Sequence, residues 1–218
     1  EGGFASQFKN NNEPLELIIK AITKSQLSPE KDVLISLDVA STEFFKKNYY
    51  YLSAENIKLS SNGLVSYLKD LTKKYPIFSI EDGCAEDDWN GWSALTKELG
   101  DRLLVGDDLF VTNLTRLNKG IKKKCANSIL IKPNQIGTLS ETLDCINLAK
   151  SNAFETIISH RSGETEDTFI ADLSVGTNSK FIKTGSINRS ERCAKYNRLL
   201  YLEKLYKNLE YSGNLLNV

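Results

Sequence analysis

Leu103-Leu-Val-Gly-Asp-Asp108 is the stretch that decides the fold, because a short apolar run ends abruptly there in two carboxylates. The pattern recurs in Val33–Asp38 and Ile77–Asp82, each a largely apolar run that an acid terminates. Runs of roughly four to eight such residues, separated by segments of helical periodicity, predict strands of a parallel sheet with helices on both faces. In such a sheet the carboxyl ends of the strands lie along one edge.

Three carboxylates are therefore expected to converge at that edge, namely those of Asp38, Glu81 and Asp107. Clustered oxygen donors are what a hard divalent cation such as magnesium prefers. Three negative charges held together without a cation would repel each other strongly. The sequence therefore predicts a magnesium site formed by these three residues.

Three further strand candidates follow, and none of them ends in an acid. They are Ser128–Ile131, followed by Lys132; Thr156–Ser159, followed by His160, Arg161 and Ser162; and Phe181–Ile182, followed by Lys183. A lysine beside a metal and a carbonyl substrate can abstract a proton, because a neighbouring cation favours the neutral amine. On position alone, an ion pair between Lys132 and one of the acids is the alternative. The group at His160 predicts a phosphate or carboxylate clamp, since a guanidinium presents a planar fork of donors.

Segments of helical periodicity lie between the strands. They include a helix that Pro14 begins, one that Pro76 stops, one that follows the capping acids Glu86, Asp87 and Asp88, and a closing helix, Ser190–Leu209, with charges outside and Leu199, Leu202 and Leu205 inside. Glu164, Glu166 and Asp167 are interpreted as first-turn acids of another helix. This alternating order predicts an α/β fold, a TIM-type (β/α) barrel with its active site on the carboxyl rim. About six of the eight strands of such a barrel are expected here.

Composition excludes several classes of function. Over 218 residues, Lys plus Arg equals Asp plus Glu at 28 each, so no net charge attracts nucleic acid or an acidic membrane. The basic run Lys122–Lys124 is interpreted as a solvated helix end. No apolar stretch approaches the roughly 18 residues that span a bilayer. The four widely spaced cysteines and single histidine argue against zinc and fit a reducing cytosol, which predicts a cytoplasmic protein. Because the chain opens at Glu1 and contains no Met, we expect a fragment of a longer protein.

The chain resembles the enolase family nearly from end to end. The matching segments are Ser36–Phe45, Ser79–Asp82, Gly106–Leu109, Lys132–Ser140, Ser159–Asp172 and Ile182–Gly185. Among these, Ser159-His-Arg-Ser-Gly-Glu-Thr-Glu-Asp-Thr-Phe-Ile-Ala-Asp172 is highly specific because of its length. The resemblance implies that residues 1–218 are part of the family's C-terminal barrel domain. The family's N-terminal α+β domain and first two barrel strands would lie upstream, so we expect this chain alone to be catalytically silent and marginally stable.

The resemblance also implies an activity, the magnesium-dependent, reversible dehydration of 2-phosphoglycerate to phosphoenolpyruvate in glycolysis and gluconeogenesis, which is a carbon–oxygen lyase reaction. Asp38, Glu81 and Asp107 resemble the magnesium ligands, and the last two are expected to touch substrate as well. The remaining implied roles are the general acid for Glu1, the base for Lys132, a carboxylate-holding cation for Lys183, and phosphate contacts for Arg161 and Ser162 beside His160.

A homodimer is the implied assembly of the full-length enzyme, with no nucleic acid partner and no membrane span. The alternative is a non-catalytic enolase-like protein with a structural or surface-binding role, against which the intact charged set argues. An acid-sugar dehydratase is disfavoured, because a phosphate signature has no use on an unphosphorylated acid. The chain departs from the family pattern at Gly83-Cys84, where the family usually has Pro, at Ala5-Ser6, and at Pro133 in place of Val.

Overall fold

The computed structural model describes residues 1–215, which form two compact units. The N-terminal unit comprises Ser6–Phe110 and Thr115–Asn127. The C-terminal unit comprises Glu1–Ala5, Val111–Leu114 and the chain from Ser128 to the last described residue. The three strand-end acids therefore belong to the first unit, and the candidate acid, base and anion-binding residues belong to the second.

In the N-terminal unit, strands and helices alternate as the sequence predicts, except for three short strands that follow the first one. Its elements are α1 (Asn12–Lys24), β1 (Ile35–Asp38), β2 (Phe45–Lys46), β3 (Tyr49–Leu52), β4 (Ile57–Leu59), α2 (Ser61–Lys74), β5 (Ile77–Glu81), α3 (Trp89–Leu99), β6 (Leu103–Gly106) and α4 (Leu114–Lys123). Strands β1, β5 and β6 pair in parallel in that order. Their carboxyl ends are the ends that carry the acids.

Capping side chains fix where the two helices behind this sheet begin. Ser60 accepts the backbone N–H of Gly63 at the start of α2, and Asp88 accepts that of Gly91 at the start of α3. The capping role predicted for Asp88 is therefore confirmed. The inner faces of the helices are apolar and fully covered, as at Trp92. Each such side chain contributes about 1.5–3 kcal/mol through burial.

A small antiparallel sheet in the order β2-β3-β4 was not predicted. Its strands are too short for alternation to show in the sequence. Among the aromatic residues of this region, Tyr50 is fully buried, whereas Tyr49 is exposed. The Tyr50 hydroxyl donates to Asp88 Oδ2 at 2.7 Å and accepts the N–H of Ala85 at 2.9 Å. This sheet is thereby joined to the start of α3.

The C-terminal unit continues the same alternation. Its elements are β7 (Ser128–Ile131), α5 (Pro133–Ile136), α6 (Leu139–Ser151), β8 (Glu155–Ser159), α7 (Phe169–Gly176), β9 (Phe181–Lys183), α8 (Ser190–Leu205) and a short 3-10 helix, Ser212–Leu215. Strands β7, β8 and β9 pair in parallel in that order. None of the helices described over residues 1–215 is long and apolar enough to cross a membrane.

Helix α8 differs from its prediction in three respects. It ends at Leu205 rather than Leu209, and Leu205 is 53% exposed rather than inside. Two of its charged residues, Arg192 and Lys195, are buried, although the charges of this helix were expected outside. The physical reason is that backbone carbonyls, a carboxylate and a ring nitrogen accept hydrogen bonds from most of their donors, although Nε of Arg192 has no hydrogen-bond partner.

The acids expected in the first turn of the preceding helix are also corrected. Helix α7 begins only at Phe169, so Glu164 and Glu166 lie before it. Glu164 Oε2 instead lies 2.5 Å from Nζ of the buried Lys195. Asp167 accepts the N–H of Phe169 at 2.9 Å. A buried lysine needs a counter-charge more than a helix end does, which explains the position of Glu164.

Candidate active site

Two of the predicted metal ligands are direct neighbours on parallel strands. Asp38 on β1 is paired in register with Glu81 on β5. Neighbouring strands lie about 4.8 Å apart, so both carboxylates are at the same edge of the sheet. Glu81 is itself paired with Val105 on β6, and Asp107 follows two residues later. Glu81 and Asp107 are buried, and Asp38 is exposed.

The acid next to this set, Asp82, holds the following strand end. Its backbone lies in the left-handed region at φ +44°, and its N–H donates to the carbonyl of Val105 at 3.0 Å. Its two carboxylate oxygens accept the N–H of Asp107 at 3.0 Å and that of Asp108 at 2.9 Å. Asp82 therefore fixes the turn that presents Asp107, a role that the sequence analysis did not assign to it.

Burial raises the pKa of Asp82 to about 7, against the two backbone N–H groups that favour its charged form. The negative charges of Asp107 and Asp108 raise the pKa further. One oxygen from each of these three residues lies within 4.8 Å of the others, so the group could hold a divalent cation. Asp107 belongs both to this group and to the predicted ligand set. All the donors are carboxylate oxygens, which fits a hard ion such as magnesium.

An aromatic side chain supports the same turn from the other side. Phe110 is fully buried, and its N–H donates to the carbonyl of Asp107 at 3.1 Å. Its ring lies so close to Gly106 and Gly120 that a Cβ at Gly106 would meet the ring 2.5 Å away, and one at Gly120 would come closer still. Glycine is therefore required at both positions if the ring is to keep its place behind Asp107.

In the C-terminal unit, Lys132 follows β7 and comes immediately before the short helix α5. Its N–H donates to Oγ1 of Thr112 at 2.9 Å, and that hydroxyl donates to Gln135 Oε1 at 2.9 Å. Pro133 occupies the first helical position, where its missing N–H leaves no bond unmade. This departure from the family pattern is thus compatible with a firmly held Lys132 backbone.

His160 lies between the ends of two strands and the start of the chain. Its backbone N–H donates to the backbone carbonyl of Lys183 at 2.9 Å, and the residue is 3% exposed. The ring atom Nδ1 lies 2.7 Å from Nη1 of Arg192, and Nε2 lies 3.7 Å from Oε1 of Glu1. Burial, and then the positive charge of Arg192, lower the pKa of His160 to about 4. The imidazole is therefore neutral at neutral pH.

The predicted phosphate contacts follow directly. Arg161 donates through Nη1 to Asn134 Oδ1 at 2.9 Å, which joins it to helix α5. The carbonyls of Arg161 and Ser162 accept from Nη1 and Nη2 of Arg192, each at 2.7 Å. The contacts of the C-terminal unit thus bring Glu1, His160 and Lys183 together and tie Arg161 to the helix that follows Lys132. Arg192 was not predicted from the sequence, because nothing in the charge pattern of α8 distinguishes a buried arginine from an exposed one.

Comparison with known proteins gives a family match over nearly the whole chain. The protein-family model described as "Enolase, C-terminal TIM barrel domain" matches residues 1–217. This match confirms the predicted fold class. The chain is 58% identical over 215 residues to the protein named Enolase of Helicobacter acinonychis, covering 98% of this chain and 50% of that protein. It is 55% identical over 218 residues to Enolase of Helicobacter hepaticus, covering 99% and 51%. It is 56% identical over 214 residues to Enolase of Nitratiruptor, covering 98% of this chain and 51% of that protein. The chain spans about half the length of the curated relatives that it matches.

Proposed function

The chain belongs to the enolase family, and on that premise we propose that the protein it represents dehydrates 2-phosphoglycerate reversibly to phosphoenolpyruvate with the help of magnesium. The observation that carries the proposal is the set of charged side chains at successive strand ends, in a chain whose relatives are named Enolase. The reaction is a carbon–oxygen lyase reaction, which breaks one C–H and one C–O bond and releases water.

The proposed magnesium ligands are Asp38, Glu81 and Asp107. The register between Asp38 and Glu81 supports this set, as does the clamp that Asp82 forms on the turn of Asp107. When bound, the ion supplies positive charge where the substrate carboxylate gains negative charge during proton removal. Glu81 and Asp107, which are both buried, also border the substrate in this proposal.

Lys132 is the proposed base, and Glu1 the proposed acid. As the base, Nζ of Lys132 takes the proton from the carbon next to the carboxylate, and the electron pair of the broken C–H bond forms the new double bond. The carboxyl of Glu1 gives a proton to the departing hydroxyl, which leaves as water. Lys183 stabilises the charge that develops on the carboxylate. The tether between Lys132 and Thr112 supports the first assignment, and the proximity of Glu1 to His160 supports the second.

Arg161 and Ser162 are the proposed phosphate contacts, with His160 beside them. A guanidinium can bind two phosphate oxygens at once, and its link to Asn134 limits the directions in which it can point. The neutral imidazole contributes a hydrogen bond rather than a charge. The homodimeric assembly and cytoplasmic location that the resemblance implies are parts of the same proposal.

The direct test is phosphoenolpyruvate formation from 2-phosphoglycerate, measured with and without magnesium in a protein of the relatives' full length and in the 218-residue chain. Activity in the long form that Lys132→Ala removes, and that the exposed control Lys122→Ala retains, is expected. Sedimentation of the same samples tests the dimer. A protein that binds magnesium but forms no product at either length would favour the non-catalytic alternative.

A further inference from the structure

We propose that Arg192 is a positioning residue that holds the proton of His160 on Nε2 and fixes the Arg161–Ser162 turn beside it. Arg192 lies in the first turn of α8 and touches none of the groups to which the reaction was assigned except His160 and the turn. The geometric part of this inference stands on the contacts alone. Its consequence for anion binding rests on the proposed function.

The burial of Arg192 requires a reason. Its side chain is 1% exposed, and a buried guanidinium is costly unless its donors are satisfied. Nη1 and Nη2 donate to three acceptors at 2.7 Å, of which two are the carbonyls of Arg161 and Ser162 and the third is the ring atom Nδ1 of His160. Every one of these acceptors lies in the candidate anion site. The three hydrogen bonds of the Arg192 guanidinium therefore all go to that site, while its Nε makes no hydrogen bond and lies 3.7 Å from Oε1 of Glu191.

The tautomer of His160 follows from the chemistry of its partner. An arginine can only donate hydrogen bonds, so the Nδ1 atom that it contacts must present a lone pair. The ring proton is then on Nε2, the atom 3.7 Å from Oε1 of Glu1. An N–H directed at a carboxylate is attractive, whereas a lone pair there would repel it. Arg192 thus decides that the ring nitrogen nearest Glu1 is the one that carries the proton.

The backbone leaves room for this arrangement. Gly185 has φ +82°, and a Cβ built on it would lie 2.9 Å from Cδ of Arg192. A side chain at this position would be strained and would push the guanidinium aside. The residue two positions after Lys183 is therefore glycine for a reason that concerns Arg192. With the guanidinium displaced, the turn would lose both carbonyl tethers, and His160 could exchange its ring proton between the two nitrogens.

The test exploits the single histidine of the chain. With 15N-labelled histidine and arginine, long-range 1H–15N correlation near neutral pH reports which ring nitrogen carries the proton. In the unaltered 218-residue chain we expect Nδ1 without a proton, Nε2 with one, and a through-hydrogen-bond coupling between Nδ1 and Nη1 of Arg192. A proton on Nδ1, or no such coupling, overturns the proposal without any variant being made.

Arg192→Lys supplies the second arm, because lysine keeps the charge but not the fork that reaches three acceptors. We expect the two ring-nitrogen resonances to move toward averaged positions. Arg198→Gln is the matched control on the same helix, since Arg198 pairs with Asp172 and not with His160. An unchanged Nε2–H spectrum in folded Arg192→Lys, as judged by circular dichroism, would overturn the proposal. The tautomer is read without substrate, so this result does not depend on whether the proposed activity exists.

Discussion

The carboxylate of Asp82 accepts the backbone N–H of Asp107 at 3.0 Å, so the end of one strand fixes the position of a candidate ligand on the next. The second oxygen of Asp82 does the same for Asp108. Asp82, Asp107 and Asp108 are thus joined by hydrogen bonds, and these bonds hold the backbone that presents the side chain of Asp107. This kind of support behind a metal ligand commonly decides how tightly the ion is held.

Replacing Asp82 therefore tests that support. Asp82→Ala leaves one buried and one part-buried N–H group without acceptors, at up to about 1–3 kcal/mol each, offset in part by removal of a buried carboxylate. We expect about 2 kcal/mol less stability in urea unfolding and about 10–100-fold weaker magnesium binding by calorimetry. Asp82→Asn, which keeps one acceptor, should be milder on both counts. Asp70→Ala, at an exposed ion pair, is the control. Unaltered affinity in Asp82→Ala would show that the clamp does not matter for the ion.

The two acidic groups that share Asp107 can be separated by substitution. Asp107→Ala should abolish the heat of magnesium binding, whichever group holds the ion. Asp38→Asn should weaken binding by at least about tenfold if the predicted ligand set is right, and Asp108→Asn should then change affinity only slightly. Isothermal titration calorimetry on the four proteins decides the matter. The reverse order of effects, with Asp108 needed and Asp38 dispensable, would move the ion to the Asp82–Asp107–Asp108 group.

Stability should fall in acid because of His160. Its pKa is about 4 in the folded chain, below the ordinary value of 6.5, so the unfolded chain binds the additional proton as the pH falls between these values. The contribution of the neutral imidazole to the free energy of unfolding is complete above pH 6.5 and is lost as the pH falls through 4. It amounts to on the order of 3 kcal/mol. His160→Gln should flatten this part of the curve of unfolding free energy against pH. Parallel curves for the two proteins between these pH values would contradict the prediction.

Lys132 and Arg161 should fail in opposite ways. In a full-length protein, Lys132→Ala should abolish exchange of the substrate's α-proton with solvent deuterium and leave substrate binding within a few-fold, because the base is used only in proton transfer. Arg161→Ala should weaken binding first, since it removes a bidentate phosphate contact. Exchange followed by NMR and binding followed by calorimetry measure the two effects, with Lys122→Ala as the common control. Equal exchange in the unaltered protein and Lys132→Ala would assign the proton transfer to another group.

The parts of the fold that repeat were predictable from the sequence. The composition of apolar runs such as Leu103–Gly106 is enough to predict that they are buried strands. The acids that follow these runs mark the carboxyl edge of the sheet. The short strand around Tyr50 could not be found in this way, because its burial depends on a hydroxyl that bonds to Asp88, a residue 38 positions away. Its placement is a property of tertiary contacts.

Within the candidate sites, the first contacts were predictable and their supports were not. Residues such as His160 appear where a strand ends, which a sequence shows. Arg192 supports them from a helix, and there the period of the charges suggests a solvated face. Only the presence of acceptors around the guanidinium turns an exposed position into a buried one. The sequence shows that Glu81 and Asp82 are adjacent acids at a strand end, but it does not show which of them supports the next strand. The backbone turn at Asp82 directs that carboxylate to the N–H groups of Asp107 and Asp108.

The ring of Phe110, held between Gly106 and Gly120, implies a constraint on how related sequences can vary. One fixed volume is shared by these three positions, so a methyl group gained at either glycine has to be matched by atoms lost from the ring. Substitutions here should therefore occur in pairs rather than singly among members of the family. A protein with Ala at the position of Gly120 should carry a smaller side chain at the position of Phe110, and the turn of Asp107 would then depend more heavily on Asp82.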